Sequence, residues 1–308
     1  VDRDSSRVPV AWLTVVVLLF ILRLVASLGP PAELWGLDSI ADLSPAYSLL
    51  LIFFLWPLLK RPTLAVGSLV RRIVERPGAL FFLFVTAMGA IFILFRSRNF
   101  LLGDSLLYVH ALEEGLTIEA AGRREAGSTL VVSALHWSLR KTALGDSETA
   151  FVIASVAAGI AYVLLAYFVA RLVAGSVQGR ALIFASLLAM GSMQIFFGHA
   201  EYYSLVAAAG MLHIYLALCW LKGRCSLILP AIALALALFV HIMNAILLPA
   251  FAWLLLCAAR ERRYVQAVVS LAFVPAVLIP IAALIKYPKE NFLAIFQKGL
   301  HMLPLQES

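Results

Sequence analysis

A few polar side chains stand out in an otherwise apolar chain. Asp104 sits in "NFLLGDSLLY" (99–108), just past a segment apolar enough to cross a membrane. Glu125 lies in "GRREAGS", and His199, Glu201 and Tyr202 fall in "FFGHAEYYS". His241 and Asn244 fall in "FVHIMNAILL". A carboxylate within hydrogen-bond reach of a hydroxyl acts as a general base. Two imidazoles and one carboxylate, as in His199, Glu201 and His241, form a set that could hold a divalent metal. Each residue also has an ordinary structural reading. Gly-Asp-Ser before a helix is capping chemistry. Glu201 reads as a solvated turn residue, His241 as a satisfied interfacial histidine, and Tyr202 as part of an aromatic belt.

The elements that must position these residues are set by composition. The chain has 308 residues, 63% hydrophobic and 13% charged, with a mean hydropathy of +0.98. A soluble domain carries about 25% charged residues. The apolar residues come in blocks of about 15 to 26 rather than in alternating or helical stripes. The expected fold is therefore all-α, a polytopic helical membrane protein; a barrel would alternate. Nine spans are expected, at about 9–28, 45–59, 79–95, 149–174, 181–197, 202–221, 226–241, 244–259 and 264–285. The first, Pro9–Leu28, is long enough to stay as a span, and no cleavable signal peptide is evident.

Charge distribution tests the count. With the N-terminus in the cytoplasm, inside segments hold 14 of the 24 Lys and Arg, while 13 of the 17 acidic residues fall outside. That asymmetry follows the positive-inside rule, and a shift by one span would put "RERR" (260–263) on the wrong side. The net charge of +7 sits in short clusters between apolar blocks, which argues against nucleic acid as a partner. Cys219, Cys225 and Cys257 lack metal-ligand spacing and read as packing residues.

This topology divides the chain into an N-terminal two-span hairpin (1–60), a basic cytoplasmic loop (61–78) and a transmembrane core (79–308). All the singled-out polar residues then lie on one membrane face. That convergence is the main functional signal. The outer loop 96–148 is the largest non-spanning region, and 286–308 begins a further outer loop. In "STLVVSALHWSLRK", Thr129, Ser133, His136 and Arg140 form one polar stripe against Leu130, Val131, Ala134, Leu135 and Trp137. Such a short amphipathic helix is expected to lie in the interface plane. The second Gly-Asp-Ser (145–147) reads as the cap of the next span. The chain begins with Val and stops soon after a span, so a fragment and a natural chain with a non-Met start both stay open.

"LLGDSLLY" after a span, "REAGSTLVVSALHWSL", "GHAEYYSLVAAAGMLHIYLAL" and the His241 turn resemble the GT-C superfamily of membrane glycosyltransferases over roughly residues 79–308. The resemblance implies a polyprenyl-phosphate-linked sugar as donor, a glycan, lipid or protein acceptor, and an extracytoplasmic site in a bacterial inner membrane. It also implies that Asp104 is the catalytic carboxylate. Family members often show a second acidic residue in this loop, whereas this chain has Gly-Asp-Ser, which leaves Glu125 and Glu201 as candidates. Arg123, Arg124, Arg140, Lys141, Lys298 and His301 could meet the departing phosphate, and headgroup contact is the simpler reading of each. His199, Tyr202, His241 and Asn244 complete the substrate-binding set. No cofactor is assigned with certainty, and a divalent metal stays open. Two rivals remain. One is a transporter or lipid flippase, for which Pro249, Pro275 and Pro280 inside spans speak. The other is a non-catalytic membrane subunit.

Overall fold

The computed structural model describes residues 70–75, 78–96, 105–115 and 125–284. Asp104, Arg123, Arg124, Lys298, His301 and the first two expected spans lie outside the described residues. Among the described residues every regular element is helical. In chain order these are α1 (Ala79–Leu94), α2 (Ser105–Glu113), α3 (Ala126–Leu139), α4 (Ser147–Val173), α5 (Val177–Leu188), α6 (Tyr203–Leu221), α7 (Ile228–Val240), α8 (Leu248–Arg260) and α9 (Tyr264–Leu284). Two 3-10 turns, Gly191–Phe196 and Ile242–Leu247, interrupt the apolar blocks.

Three stretches are long and apolar enough to cross a membrane: Ser147–Val173, Tyr203–Leu221 and Ile242–Arg260. The last joins the second 3-10 turn to α8. The other apolar helices are shorter. α5, with 12 residues, reaches only about 18 Å at 1.5 Å per residue, against a hydrocarbon core of about 30 Å. The expected span 181–197 is thus broken. Its helix stops at Leu188, and the chain continues through the turn at Gly191–Phe196. The break has a packing cause. Ser155 of α4 donates to the Ile195 carbonyl at 2.8 Å. Phe196 enters α4 at Gly159, where a Cβ would stand 2.7 Å from the Phe92 ring and 2.8 Å from the Phe196 Cβ. Pro249 occupies the first turn of α8, where its missing N–H costs nothing, so it starts that helix rather than interrupting it.

Apolar side chains point outward as well as inward. Phe82, Leu83, Leu182, Ile246, Val265 and Val268 are all exposed. An apolar exterior of this extent suits lipid rather than water, as expected for a membrane protein. The interior falls into three clusters. One joins α1, α4, α5 and α6, with Phe81 against Tyr167 at 4.3 Å between ring centroids. A second joins α6, α7, α8 and α9 around Trp220, Leu234 and Phe251. The third is small, built from Leu112, Val132, Phe151, Ala200 and Tyr202, and it lies under α2 and α3.

α3 has an inner and an outer face. It buries Thr129 and Val132 and exposes Leu130, Val131 and Trp137. The Ser133 hydroxyl and the His136 Nδ1, on the polar stripe, are also buried, without a hydrogen-bond partner among the described residues. The start of α4 is capped as expected: Asp146 Oδ1 accepts the Thr149 N–H at 2.7 Å, and the Thr149 hydroxyl holds its carboxyl below the usual range.

Candidate functional site

Four helix ends meet at one end of the bundle. Phe151 near the start of α4 packs on Tyr202 at the start of α6, with 5.6 Å between ring centroids. Tyr108 of α2 stacks on the same Tyr202 at 4.6 Å. Tyr203 stands 6.3 Å from the His241 ring, which brings in the C-terminal end of α7. Arg171, Lys222 and Arg260 lie at the opposite ends of α4, α6 and α8.

The start of α3 is fastened onto the end of α7 by small residues. Gly127 lets the two backbones touch: a Cβ there would stand 2.8 Å from the Phe239 carbonyl oxygen and from the Val240 Cα. The Ser128 hydroxyl donates to the Val240 carbonyl at 2.9 Å, satisfying one of the acceptors that a helix end leaves open. In the sequence, "AGST" is therefore a docking surface.

This docking brings Glu125 to His241. The His241 backbone is extended (φ −163°), which ends α7. Its Nδ1 accepts the Met243 N–H at 3.0 Å, so the imidazole caps the following 3-10 turn. An Nδ1 that accepts carries no proton, which leaves the ring proton on Nε2. That Nε2 lies 3.3 Å from Glu125 Oε1, with the two side chains 10% and 19% exposed. The Tyr108 hydroxyl donates to the same Oε1 at 3.0 Å. A largely buried carboxylate is costly unless hydrogen-bonded, and the Tyr108 hydroxyl meets that need on one oxygen, with the His241 ring beside it. Beneath it, Thr129 Oγ1 lies 3.0 Å from the Glu125 carbonyl and 3.3 Å from the Tyr202 hydroxyl. A carbonyl only accepts, so Thr129 donates to it and Tyr202 donates to Thr129. Burial pushes the Tyr202 phenol up to about 12, consistent with a proton retained for that bond.

The other sequence candidates separate. Glu201 sits 3.5 Å from the Ser105 hydroxyl, one residue past Asp104 in the chain. Asn244 is buried and structural: its side-chain amide donates to the Ala237 carbonyl at 2.8 Å, and its Oδ1 faces Gly210. His199 is half-buried in the turn before α6, and burial lowers its basicity. Arg140 stacks on Trp137 at 5.1 Å, at the far end of α3, about 22 Å along the axis from Glu125. Among the described residues no three His, Cys, Asp or Glu side chains gather as a metal-binding group. The trio His199, Glu201 and His241 is thus not assembled, because the donor face of His241 is turned to Glu125. Tyr108 and Thr129 are the members that sequence reasoning missed as site residues. Tyr108 had a signal: it lies four residues past Asp104 and so shares its face of a helix.

No family model, curated protein or solved structure matches this chain.

Proposed function

We propose that the chain is a GT-C-like membrane glycosyltransferase that moves a sugar from a polyprenyl-phosphate donor to an acceptor hydroxyl. In this reading the Glu125–His241 end of the bundle is extracytoplasmic, the membrane is a bacterial inner membrane, and α2 and α3 lie at the interface. One observation carries the reading. A largely buried carboxylate is held by an imidazole and a phenol at the end of an apolar bundle, on the same end as Ser105, which follows Asp104. Together with the sequence resemblance, that supports a reading in which carboxylate chemistry meets the headgroup of a lipid-linked substrate.

The chemistry asks little of the protein. A lipid phosphate is a good leaving group and needs little proton donation. Asp104 takes the proton of the acceptor hydroxyl as the new C1–O bond forms and the C1–O(phosphate) bond breaks, its electron pair leaving with the polyprenyl phosphate. Arg123 and Arg124, directly before Glu125 in sequence, are the cations proposed to neutralise that phosphate. No metal is needed for this step.

The test is transfer of label from radiolabelled polyprenyl-phosphate glucose, mannose or arabinose in membranes expressing the full gene. Transfer is expected with at least one donor, and Asp104→Asn should lower it by at least 100-fold, within the roughly 10²–10⁴-fold contribution of a positioned base. Full transfer by Asp104→Asn would remove the catalytic assignment. Movement of the intact donor across the bilayer without transfer would favour a flippase.

A further inference from the structure

Glu125 makes more hydrogen bonds on one oxygen than on the other. Oε1 accepts the Tyr108 hydroxyl and lies 3.3 Å from His241 Nε2, whereas Oε2 accepts no hydrogen bond among the described residues. Anchoring α3 does not require this carboxylate. Ser128 already donates to Val240, and Gly127 already seats the backbone. An anchor would also be cheaper to build from apolar residues, since a buried ion pair is weak evidence for stability. A carboxylate fixed on one side and open on the other is the arrangement that grips a hydroxyl group. Sugars have the feature that such a carboxylate recognises: hydroxyl groups to donate.

We infer that Glu125 Oε2 accepts a sugar hydroxyl at this site, with His241 and Tyr108 as positioning residues that hold the carboxylate. This rests on the glycosyltransferase reading and adds a binding subsite that does no proton chemistry. His241 cannot itself be the base, because its Nδ1 is occupied by the Met243 N–H and its Nε2 already bears a proton. The hydroxyl belongs either to the donor sugar or to the acceptor, and the chemistry is the same for both.

The experiment measures donor binding and transfer with polyprenyl-phosphate glucose, mannose and arabinose, using wild type, Glu125→Ala, His241→Gln and His241→Leu in nanodiscs and membranes. Loss of a hydrogen bond to a charged acceptor corresponds to a weakening of about 10- to 100-fold. If the hydroxyl is the donor's, Glu125→Ala weakens donor binding by that factor and raises the donor KM more than it lowers kcat. If it is the acceptor's, donor binding stays and transfer at saturating donor falls by the same factor. His241→Gln keeps an N–H at the position of Nε2 and should retain most of the wild-type value, whereas His241→Leu should match Glu125→Ala. That rescue is the readout a purely structural role would not produce. Wild type that transfers normally while Glu125→Ala binds and transfers as well would overturn the subsite alone. Wild type that neither binds nor transfers any of the three donors would overturn the glycosyltransferase reading and this subsite with it.

Discussion

The two short turns at this end of the bundle, 197–202 and 241–247, carry similar residues. Each follows a break in an apolar block, each contains a histidine, and each adds one further polar side chain, Glu201 or Asn244. They are used differently. His241 accepts from Met243 on its own turn through Nδ1 and turns Nε2 to Glu125, 3.3 Å away at the start of another helix. Asn244 below it closes the end of α7. His199 is half-buried and desolvated, and Glu201 lies by Ser105. The turns differ because His241 of one faces the Glu125 carboxylate, whereas the other meets the start of α3 through Tyr202 and Thr129. Position along the chain sets where a polar residue emerges from the bundle, and a docked neighbour sets what it does.

The strongest way to break the comparison is to lift α3 off α7. Gly127→Val would place side-chain atoms against backbone that cannot rotate away, at a cost of about 3 kcal/mol or more. The unfolding midpoint in detergent should fall sharply, and protease should cut within α3 faster. Gly175→Val is the control, since nothing lies within 4 Å of its Cβ position and its φ is ordinary. Equal midpoints for the two variants would mean that α3 is not docked as described.

A smaller effect is expected from the pair itself. Glu125→Ala leaves the His241 Nε2–H and the Tyr108 hydroxyl without their acceptor in a largely buried place, about 2 kcal/mol of destabilisation. Combined with His241→Leu in a double-mutant cycle, the coupling should lie between about 0.5 and 3 kcal/mol. Strictly additive unfolding free energies would show that the contact is incidental.

These partners also mark what the sequence could say. The apolar blocks located most helix ends to within a few residues: 149–174 became Ser147–Val173, and 202–221 became Tyr203–Leu221. A span records its own hydrophobicity locally, so a window finds it. The block 181–197 misled because its break depends on Gly159 and Ser155 of another helix. The site followed the same division. That Glu125 and His241 share one end of the bundle was legible from alternation of spans. That they touch was not, because it depends on Gly127 meeting Val240 across more than a hundred residues. The polar stripe of α3 was legible as well, and its inward direction is what the apolar exterior adds. Asn244 was legible only as a polar side chain near His241; its donation to the Ala237 carbonyl was not.

Asn244→Ala sharpens that last point with a loss of about 1 kcal/mol. The effect is held down because the Ala237 carbonyl also accepts the His241 N–H at 3.0 Å and is not left bare. Donor binding should be unchanged in this variant. A large fall in binding with little loss of stability would return Asn244 to the ligand-contacting set.

The smallest effect separates His199 from its surroundings by pH. Burial lowers the folded-state basicity of His199 from the ordinary 6.5. The folded state therefore disfavours its protonation more than the unfolded state does. Its contribution is fully present above about 6.5, begins to be lost as the unfolded chain takes up the proton, and levels off once pH has fallen through the lowered folded value. His199→Gln removes that titration. The difference in unfolding midpoint between wild type and His199→Gln should then shift against wild type as pH is lowered from 7.5 to 5, by no more than a few degrees. A difference that stays constant across that range would mean that His199 is as well solvated in the fold as in the unfolded chain, and the contrast between the two turns would lose its electrostatic half.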